Sequence, residues 1–312
     1  MRRRALRTLA RPVELAGIGL HTGRHARVRL LPAPAGDGVY FVRSDLPCGS
    51  GVEVRLPASP TAVVETKLCT TLGAPGRAPA HTIATVEHLL AALCGMDVHA
   101  CRIEVDAPEL PLLDGSAAPW VRAIRAAGTI QHCAPSTRRR LAAPVAVGED
   151  DSWVVAVPAA SLRLTCGIDF PRHAPIGRQW FSWAPDEEGG GGGRAGGGGG
   201  GQQSDKAFDA QIAPARTFAL AEQIDALRAG GLIRGGSLEN ALVCDRDRWL
   251  NGPLRFPDEP ARHKLLDLLG DLALLGRLPA AHVVAYKGSH RLHVRLAAAL
   301  AERLQQGEGE PS

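Results

Sequence analysis

The clearest chemistry in this sequence lies between residues 261 and 276. His263, Asp267 and Asp271 recur at every fourth position, opposite an apolar stripe of leucines. At about 100° per residue, these polar side chains share one face of a helix. An imidazole and a carboxylate one helical turn apart can both bind one metal ion. The alternative is a solvated helix face whose polar residues only avoid the core.

A second amphipathic stretch, residues 82–93, supplies a matching histidine. His88 points away from the apolar face of this stretch and follows Glu87. Both stretches continue into a Leu-rich run, a glycine and a strand-like segment, so we interpret them as equivalent helices of two similar halves facing a shared cleft. Two histidines and one aspartate can form a catalytic zinc site that leaves its fourth position to water. Glu87 would then be the base for that water.

Two further histidines lie on loops that contain glycine. His21 lies between Gly17 and Gly23, where glycines permit close approach of the backbone to a ligand such as phosphate. A loop histidine that is bonded within the protein explains the same pattern equally well. His290 follows the predicted strand that ends at Lys287, a position suited to proton transfer.

The elements that must position these residues alternate along the chain. The predicted strands are Val28–Leu31, Val39–Val42, Ala100–Val105, Trp153–Val157, Leu162–Phe170, Asn240–Val243 and His282–Lys287. The predicted helices, besides the two stretches above, are Ala117–Ala127, Ala219–Ala229 and Leu292–Gln306. This order of strands and helices indicates a mixed α and β architecture.

The same pattern divides the chain into two halves. We expect a first α/β domain over residues 1–130, a linker over 131–143 and a second α/β domain over 144–312, each domain carrying one of the two key helices. Residues 189–201 are nearly all glycine, so they cannot offset their ordering entropy and are predicted to be a disordered insertion. A βαβ segment at about 216–245 would cover a hydrophobic ligand.

Composition narrows the class of protein. The 312 residues are 45% hydrophobic and 22% charged, which is typical of a globular chain in water. A net charge of +4 suits an anionic small molecule and does not argue for nucleic acid. No run approaches the ~20 apolar residues of a membrane span, and arginines interrupt any signal-peptide core. The seven cysteines show no paired spacing, so we expect reduced thiols in a cytoplasmic protein.

Seven motifs occur in a fixed order along nearly the whole chain. They are His21-Thr-Gly23, Thr85-Val-Glu-His88, Asp114-Gly-Ser-Ala-Ala118, Ala215-Arg-Thr-Phe218, Gly235-Gly-Ser237, Arg262-His-Lys-x-x-Asp267 and the Lys287–His290 loop. Any one of these motifs is weak evidence, but the ordered set is specific. The set resembles the zinc-dependent UDP-3-O-acyl-N-acetylglucosamine deacetylase family of bacterial lipid A biosynthesis.

The resemblance implies a fold and a reaction. The fold would be α+β, with two similar two-layer α/β sandwich domains and the active site at their interface. The reaction would be zinc-dependent hydrolysis of the N-acetyl group of UDP-3-O-(3-hydroxyacyl)-N-acetylglucosamine, giving acetate and the free amine, the committed step of lipid A biosynthesis. The partner would be this small-molecule substrate, and we expect a monomer without nucleic acid or an integral membrane segment.

The resemblance also assigns the central roles of the site. His88, His263 and Asp267 match the zinc ligands. Glu87 matches the general base that activates water for attack on the acetamide carbonyl. His290 matches the acid, or charged partner, that helps the amine to leave.

Other roles follow from the same resemblance. Asp271 would orient His290, while Lys264 and Thr217 would contact the substrate or stabilise the oxyanion. Residues expected to bind the substrate are His21, Phe170, Phe218 and Lys287. Cys69 matches a family cysteine that lies near the zinc ion and is not required as a ligand.

Two features depart from the family pattern. His293 stands where the family usually has asparagine, just after the predicted catalytic loop. The glycine-rich residues 189–201 lie in a stretch that the family usually keeps shorter. Neither departure touches a proposed metal ligand.

Two other functions remain compatible with the metal-binding residues alone. A zinc amidohydrolase or peptidase with a different substrate would use the same constellation. A non-catalytic metal-binding protein is the second alternative, although structural zinc sites are usually Cys-rich and four-coordinate. The same donors accept Fe²⁺, so the sequence leaves zinc and iron open as the native metal.

Overall fold

The computed structural model describes residues 4–46, 53–74, 81–136, 139–185 and 207–306. Within these ranges the chain is a mixed α+β protein with several sheets, as the sequence predicts. The glycine-rich residues 189–201, predicted to be disordered, lie outside the described residues. No described helix is both long enough and apolar enough to cross a membrane.

Strands and helices alternate along the chain. The strands are β1 (Arg4–Leu9), β2 (Val13–Ile18), β3 (His25–Pro32), β4 (Val39–Arg43), β5 (Arg55–Pro57), β6 (Val63–Glu65), β7 (Thr71–Gly73), β8 (Thr82–Ile83), β9 (Cys101–Val105), β10 (Thr129–Ser136), β11 (Val145–Glu149), β12 (Ser152–Pro158), β13 (Arg163–Phe170), β14 (Gly177–Trp183), β15 (Phe218–Leu220), β16 (Leu242–Cys244) and β17 (Ala281–Tyr286). The α-helices are α1 (Glu87–Gly95), α2 (Ala118–Ala127), α3 (Ala221–Ala229), α4 (Glu259–Leu272) and α5 (His290–Gln306). Short 3₁₀ turns cover Ala35–Asp37, Pro60–Ala62 and Ala273–Leu275, and residues 207–211 form a further helical turn.

Two five-stranded sheets have the same topology. The strand order is β2-β3-β9-β4-β5 in the first sheet and β11-β12-β17-β13-β14 in the second. The central strand of each sheet, β9 or β17, pairs antiparallel with one neighbour and parallel with the other. In the sequence, each central strand also lies between two helices, α1 and α2 or α4 and α5. The chain therefore repeats one arrangement of strands and helices.

Apolar helix faces pack against the sheets and against each other. Helix α4 packs on β13 and β14, α5 packs on β11 and β12, and α1 packs directly on α4. Along β13 the side chains of Leu164, Cys166 and Ile168 are buried, which is the alternation expected for a sheet covered on one face. Buried side chains from both five-stranded sheets and both helices form one continuous hydrophobic cluster. This shared core fixes α1 and α4 relative to each other.

Smaller sheets join distant parts of the chain. Strand β1 pairs with β10, so residues 131–136 of the predicted linker lie within a strand. Strands β15 and β16 are parallel and are connected through α3, which gives a βαβ unit inside the predicted segment 216–245.

Several element boundaries differ from the sequence prediction by one or more residues, and two of these differences concern the site. Helix α1 begins at Glu87 rather than at Thr82, because Thr82 and Ile83 pair with β7 and Thr85 has a positive φ of 61°. The apolar spacing of this stretch fits a helix, but the strand pairing overrides it. His290 is the first residue of α5 rather than part of the preceding loop.

Candidate metal centre

Helices α1 and α4 cross at a point where no side chain separates them. A Cβ atom on Gly270 would lie 2.1 Å from the carbonyl oxygen of Glu87, far inside van der Waals contact. Glycine at this position therefore lets the first turn of α1 lie directly on α4. The crossing brings His88 of α1 beside His263 and Asp267 of α4.

The three predicted metal ligands lie together. Nε2 of His88 is 3.6 Å and Nε2 of His263 is 3.4 Å from Oδ1 of Asp267. The centroids of the two imidazole rings are 5.0 Å apart. Donor atoms ~2.0–2.1 Å from a tetrahedral zinc ion are about 3.3 Å from one another. The donor types and their spacing therefore fit a zinc ion.

The burial of this cluster excludes a solvated helix face. His88, His263 and Asp267 are only 5%, 1% and 3% exposed. Polar groups that only avoid the core would lie in water, whereas these three meet one another inside the protein.

Burial, hydrogen bonds and neighbouring charges keep His263 neutral and Asp267 ionised, which are the protonation states that bind a cation. Nδ1 of His263 donates to the carbonyl oxygen of Ala215 at 3.0 Å, which leaves the lone pair of Nε2 facing Asp267. Burial lowers the pKa of His263 to about 4, so its ring is neutral. Burial disfavours the charged form of Asp267, yet the neighbouring charge of Lys264 holds its pKa well below the ordinary value. Nζ of Lys264 donates to Oδ2 of Asp267 at 2.9 Å.

The carboxylate of Glu87 lies in the same site. Glu87 is 3% exposed, and burial raises the pKa of its carboxyl group above the ordinary value. Its Oε2 accepts a hydrogen bond from the backbone N–H of Thr70 at 3.0 Å, while its Oε1 lies 4.0 Å from Nε2 of His290. A buried carboxylate with one oxygen free beside a metal site has the properties of a general base.

Asp271, one turn beyond Asp267 on α4, binds two imidazoles. Its Oδ2 accepts hydrogen bonds from Nδ1 of His290 at 2.8 Å and from Nδ1 of His293 at 2.9 Å. Burial alone would lower the pKa of His290, but the charges of Asp271 and Glu87 raise it to about 9. His290 is therefore an imidazolium near neutral pH, and its Nε2 can donate a proton.

The same cluster of Asp271, His290 and His293 also brings three potential metal donors within 4.8 Å of one another. Hydrogen bonding explains this arrangement, because both Nδ1 atoms already donate to the carboxylate. Nε2 of His293 has no hydrogen-bond partner among the described residues. The cluster of His88, His263 and Asp267 is therefore the better candidate for a metal ion.

A cavity of about 260 Å³ opens beside the metal ligands. Its walls include Glu87, His88, Thr217, Phe218, Lys264 and His290. Cys69 also lines this cavity, and burial raises the pKa of its thiol to about 12. Such a thiol stays protonated near neutral pH, so it is a poor metal ligand.

A second, apolar cavity of about 200 Å³ adjoins the first. The two cavities share Leu20, Leu68, Thr217 and Phe218. The rest of the second cavity is lined mainly by α3 and the segment that follows it, including Ile224, Leu227, Ile233 and Leu238. A cavity with these walls suits an apolar part of a ligand.

The other predicted substrate residues are not all gathered at these cavities. His21 lines the apolar cavity, is 8% exposed, and has no partner for either ring nitrogen among the described residues. Phe170 packs edge-on against Phe218, with ring centroids 5.6 Å apart. Lys287 instead donates to Asp151 at 2.6 Å and lines neither cavity.

Comparison with known proteins identifies a family. A family model described as "LpxC: UDP-3-O-acyl N-acetylglycosamine deacetylase" matches residues 6–302. The chain belongs to this family. It is therefore a deacetylase, a hydrolase of lipid A biosynthesis, and it carries a buried His/His/Asp set that can bind a metal ion.

Curated relatives in this family match over nearly their full lengths. A UDP-3-O-acyl-N-acetylglucosamine deacetylase of Synechocystis sp. is 48% identical over 301 residues, which cover 95% of this chain and 98% of the relative. The protein of that name from Nostoc sp. is 48% identical over 295 residues, covering 93% and 96%. A "Probable UDP-3-O-acyl-N-acetylglucosamine deacetylase 1, mitochondrial" of Arabidopsis thaliana is 42% identical over 314 residues, covering 94% and 87%.

Glu109 is a buried residue of this deacetylase that sequence reasoning missed. Its carboxylate accepts hydrogen bonds at 2.7–3.0 Å from the backbone N–H groups of His21 and Thr22 and from the hydroxyls of Thr22 and Thr85. Glu109 therefore ties the His21 loop to the turn that precedes α1. Its partners are 24 to 88 residues away in the sequence, so no local pattern could have indicated this role.

Glu259, the first residue of α4, was also missed. It is 0% exposed and accepts hydrogen bonds from the backbone N–H and Nε of Arg216 at 3.0 and 2.9 Å. It also accepts from the backbone N–H of Arg255 at 2.6 Å, and the Arg255 guanidinium bonds Asp114 at 2.9 Å. This network fixes the segment that carries Thr217 into the cavity. A charge at the predicted start of a helix was the only available signal.

Proposed function

We propose that this deacetylase hydrolyses the N-acetyl group of UDP-3-O-acyl-N-acetylglucosamine, giving acetate and the free amine. The observation that carries the proposal is the buried cluster of His88, His263 and Asp267, with Glu87 and His290 beside it on one cavity. Amide hydrolysis needs a polarised carbonyl, an activated water molecule and protonation of a poor leaving group. The site offers a suitable group for each requirement.

The metal that we propose for the three ligands is zinc. Two imidazoles and one carboxylate are typical of catalytic zinc sites, whereas structural zinc sites are usually Cys-rich. The donor set therefore argues against a purely structural metal ion. When bound, zinc would polarise the acetamide carbonyl and lower the pKa of the attacking water. Fe²⁺ accepts the same donor types, so metal analysis of protein purified without added zinc distinguishes the two.

Glu87 and His290 would move the protons of the reaction. Oε1 of Glu87, the oxygen that Thr70 does not bind, accepts a proton as the water oxygen attacks the acetamide carbon. Nε2 of His290 donates a proton to the acetamide nitrogen as the C–N bond breaks. Nε2 of His290 lies 4.0 Å from Oε1 of Glu87, so return of the Glu87 proton to His290 through one water molecule would restore both groups for the next turnover.

Three further residues would support this chemistry. Asp271 binds Nδ1 of His290, which directs Nε2 toward the cavity. Thr217 and Lys264 line the cavity, where their hydroxyl and ammonium groups would contact the substrate or stabilise the oxyanion.

The apolar cavity would hold the acyl chain of the substrate. It adjoins the metal site and shares Phe218 with the catalytic cavity, as expected if one substrate spans both. The βαβ unit of β15, α3 and β16 would cover the chain.

Outside the reacting acetamide group, the substrate would also be bound by His21, Phe170 and Lys287. The imidazole of His21 is buried without a partner among the described residues, so a substrate oxygen is a suitable partner. The ammonium group of Lys287 suits a diphosphate, and the half-buried ring of Phe170 offers an apolar surface.

We also propose the division of the chain into domains 1–130 and 144–312, joined by 131–143. Each domain would be a two-layer sandwich of one five-stranded sheet and its helices, with the active site between them. The repeated sheet topology supports this division. For the intact protein we propose a cytoplasmic monomer, which sedimentation of the purified chain and fractionation of its host cell would test.

The direct test of function is release of acetate from UDP-3-O-acyl-N-acetylglucosamine. The protein is assayed as purified, after removal of metal by a chelator, and after addition of one equivalent of zinc. We expect activity to disappear with the metal and to return with zinc. If folded, zinc-loaded protein released no acetate, the substrate assignment would be wrong, and a zinc amidohydrolase of other specificity would become the better proposal.

A further inference from the structure

Thr70 lies between the two halves of the catalytic site and uses each of its polar groups there. It is 0% exposed. Its backbone N–H donates to Oε2 of Glu87 at 3.0 Å, and its hydroxyl donates to Oδ1 of Asp271 at 2.5 Å. Its carbonyl oxygen accepts from the backbone N–H of Val86, the residue before α1. Thr70 thus connects the base on α1 with the carboxylate that holds the acid.

The contact with Glu87 selects one carboxylate oxygen for catalysis. Because the N–H of Thr70 binds Oε2, the lone pairs of Oε1 remain available on the side that faces His290. This bond comes from the backbone, so it is present whatever side chain stands at position 70.

The contact with Asp271 depends on the side chain of Thr70. Oδ2 of Asp271 accepts from His290 and His293, while Oδ1 accepts from the Thr70 hydroxyl. With donors on both oxygens, the carboxylate cannot rotate without losing a bond inside the protein, where lost bonds are costly. The orientation of the His290 ring is therefore set partly by a residue that does not touch it.

We propose that Thr70 is a positioning residue. Through Asp271, it keeps Nε2 of His290 in its position relative to the Glu87 carboxylate. This inference rests on the proposed roles of Glu87 and His290. A charge-assisted hydrogen bond from the hydroxyl fixes Asp271, Asp271 fixes Nδ1 of His290, and Nε2 then lies 4.0 Å from the base. A misplacement of about 1 Å between catalytic groups can cost roughly 10²-fold in rate.

The test compares Thr70→Val with Thr70→Ser. Valine keeps the shape of threonine but puts a methyl group in place of the hydroxyl, so it cannot donate to Asp271, whereas serine keeps the hydroxyl. We expect Thr70→Val to lower kcat roughly 10- to 100-fold with KM and zinc content unchanged, and Thr70→Ser to restore most of the loss. Thr71→Val, at the adjacent half-buried threonine, is the matched control and should keep kcat. If Thr70→Val does not fold, Thr70→Ala takes its place with the same expectation.

A double-mutant cycle separates positioning from a general structural role. In protein that already carries His290→Gln, removal of the Thr70 hydroxyl should cost less than roughly twofold, because the group being positioned is gone. An equal loss in both backgrounds would overturn the proposal, as would normal kcat for Thr70→Val. Failure of the underlying function is distinct, since wild-type protein would then release no acetate at all.

Discussion

At the scale of single residues, the two oxygens of the Glu87 carboxylate are not equivalent. One is bonded to the backbone at Thr70, and the other faces His290. We expect Glu87→Gln to lower acetate release by ~10²–10⁴-fold, because the amide keeps the shape of the side chain but cannot accept the proton. Steady-state kinetics and metal analysis check this result, and zinc content should not change because Glu87 lies outside the ligand set.

The matched control for this change is Glu14→Gln, which alters an exposed carboxylate on β2. Its activity should equal that of the wild-type protein. Turnover by Glu87→Gln close to that of the control would mean that another group is the base.

His293 allows a second test, because the resemblance described above predicts asparagine at this position. It donates from Nδ1 to the carboxylate that also holds His290. The amide nitrogen of asparagine can occupy nearly the position of Nδ1, so His293→Asn should retain most of the activity. His293→Leu removes the donor, and we expect a roughly tenfold lower kcat, in line with the loss of one buried charged hydrogen bond. Equal activities of the Asn and Leu variants would show that the donor is not needed.

Local spacing predicted some site residues and could not reveal others. His263 and Asp267 lie on one helix and Glu87 and His88 on another, so a helical period placed His263 and Asp267 on one face, and the similarity of the two stretches predicted that the helices face each other. Thr70 acts on Asp271, which is 201 residues away in the sequence. No local pattern around Thr70 indicates this role, because the two segments meet only in the folded chain.

At the scale of elements, the crossing of α1 and α4 depends on Gly270. A methyl group there would meet the carbonyl oxygen of Glu87 at 2.1 Å, and backbone cannot move aside as a flexible side chain can. We expect Gly270→Ala to cost about 1–3 kcal/mol in the free energy of unfolding, as overpacking does. It should also weaken zinc binding, because the crossing sets the distance between His88 and the ligands on α4.

Denaturant titration and competition with a zinc chelator measure these two effects. Gly36→Ala is the control, since nothing lies within 4 Å of its added Cβ, and its stability should stay within about 0.5 kcal/mol of the wild type. Unchanged zinc affinity in Gly270→Ala would show that the metal ligands tolerate a larger distance between α1 and α4.

Element prediction succeeded where the pattern was local. Each strand and helix predicted from periodicity overlaps an observed one. The start of α1 was wrong because Thr82 and Ile83 satisfy their backbone groups in a strand pair with β7, a tertiary contact. Strands β1 and β10 were not predicted, since they pair with each other across more than a hundred residues.

At the scale of the whole molecule, a bound metal would connect the two halves. His88 lies on α1, whereas His263 and Asp267 lie on α4. A metal that binds only the folded chain stabilises it by about 4 kcal/mol when its free concentration is 1,000 times its Kd. We therefore expect a lower Tm after chelation and recovery with one equivalent of zinc, measured by calorimetry.

The control for this experiment is His88→Ala, whose Tm should respond little to chelator or zinc because one half no longer contributes a ligand. A Tm that did not change when all metal had been removed would contradict the connection between the halves.

Strand β17 occupies the middle of the second five-stranded sheet although it is the last strand of that sheet to be made. A ribosome produces the chain from its N-terminus at about 5–20 residues per second. Until residue 286 has emerged, β12 and β13 have no partner between them, and each presents a bare edge to other chains. The first sheet has its own central strand by residue 105. The five strands of the first sheet are therefore all present by residue 105, whereas the second sheet lacks its central strand until residues 281–286 have been made.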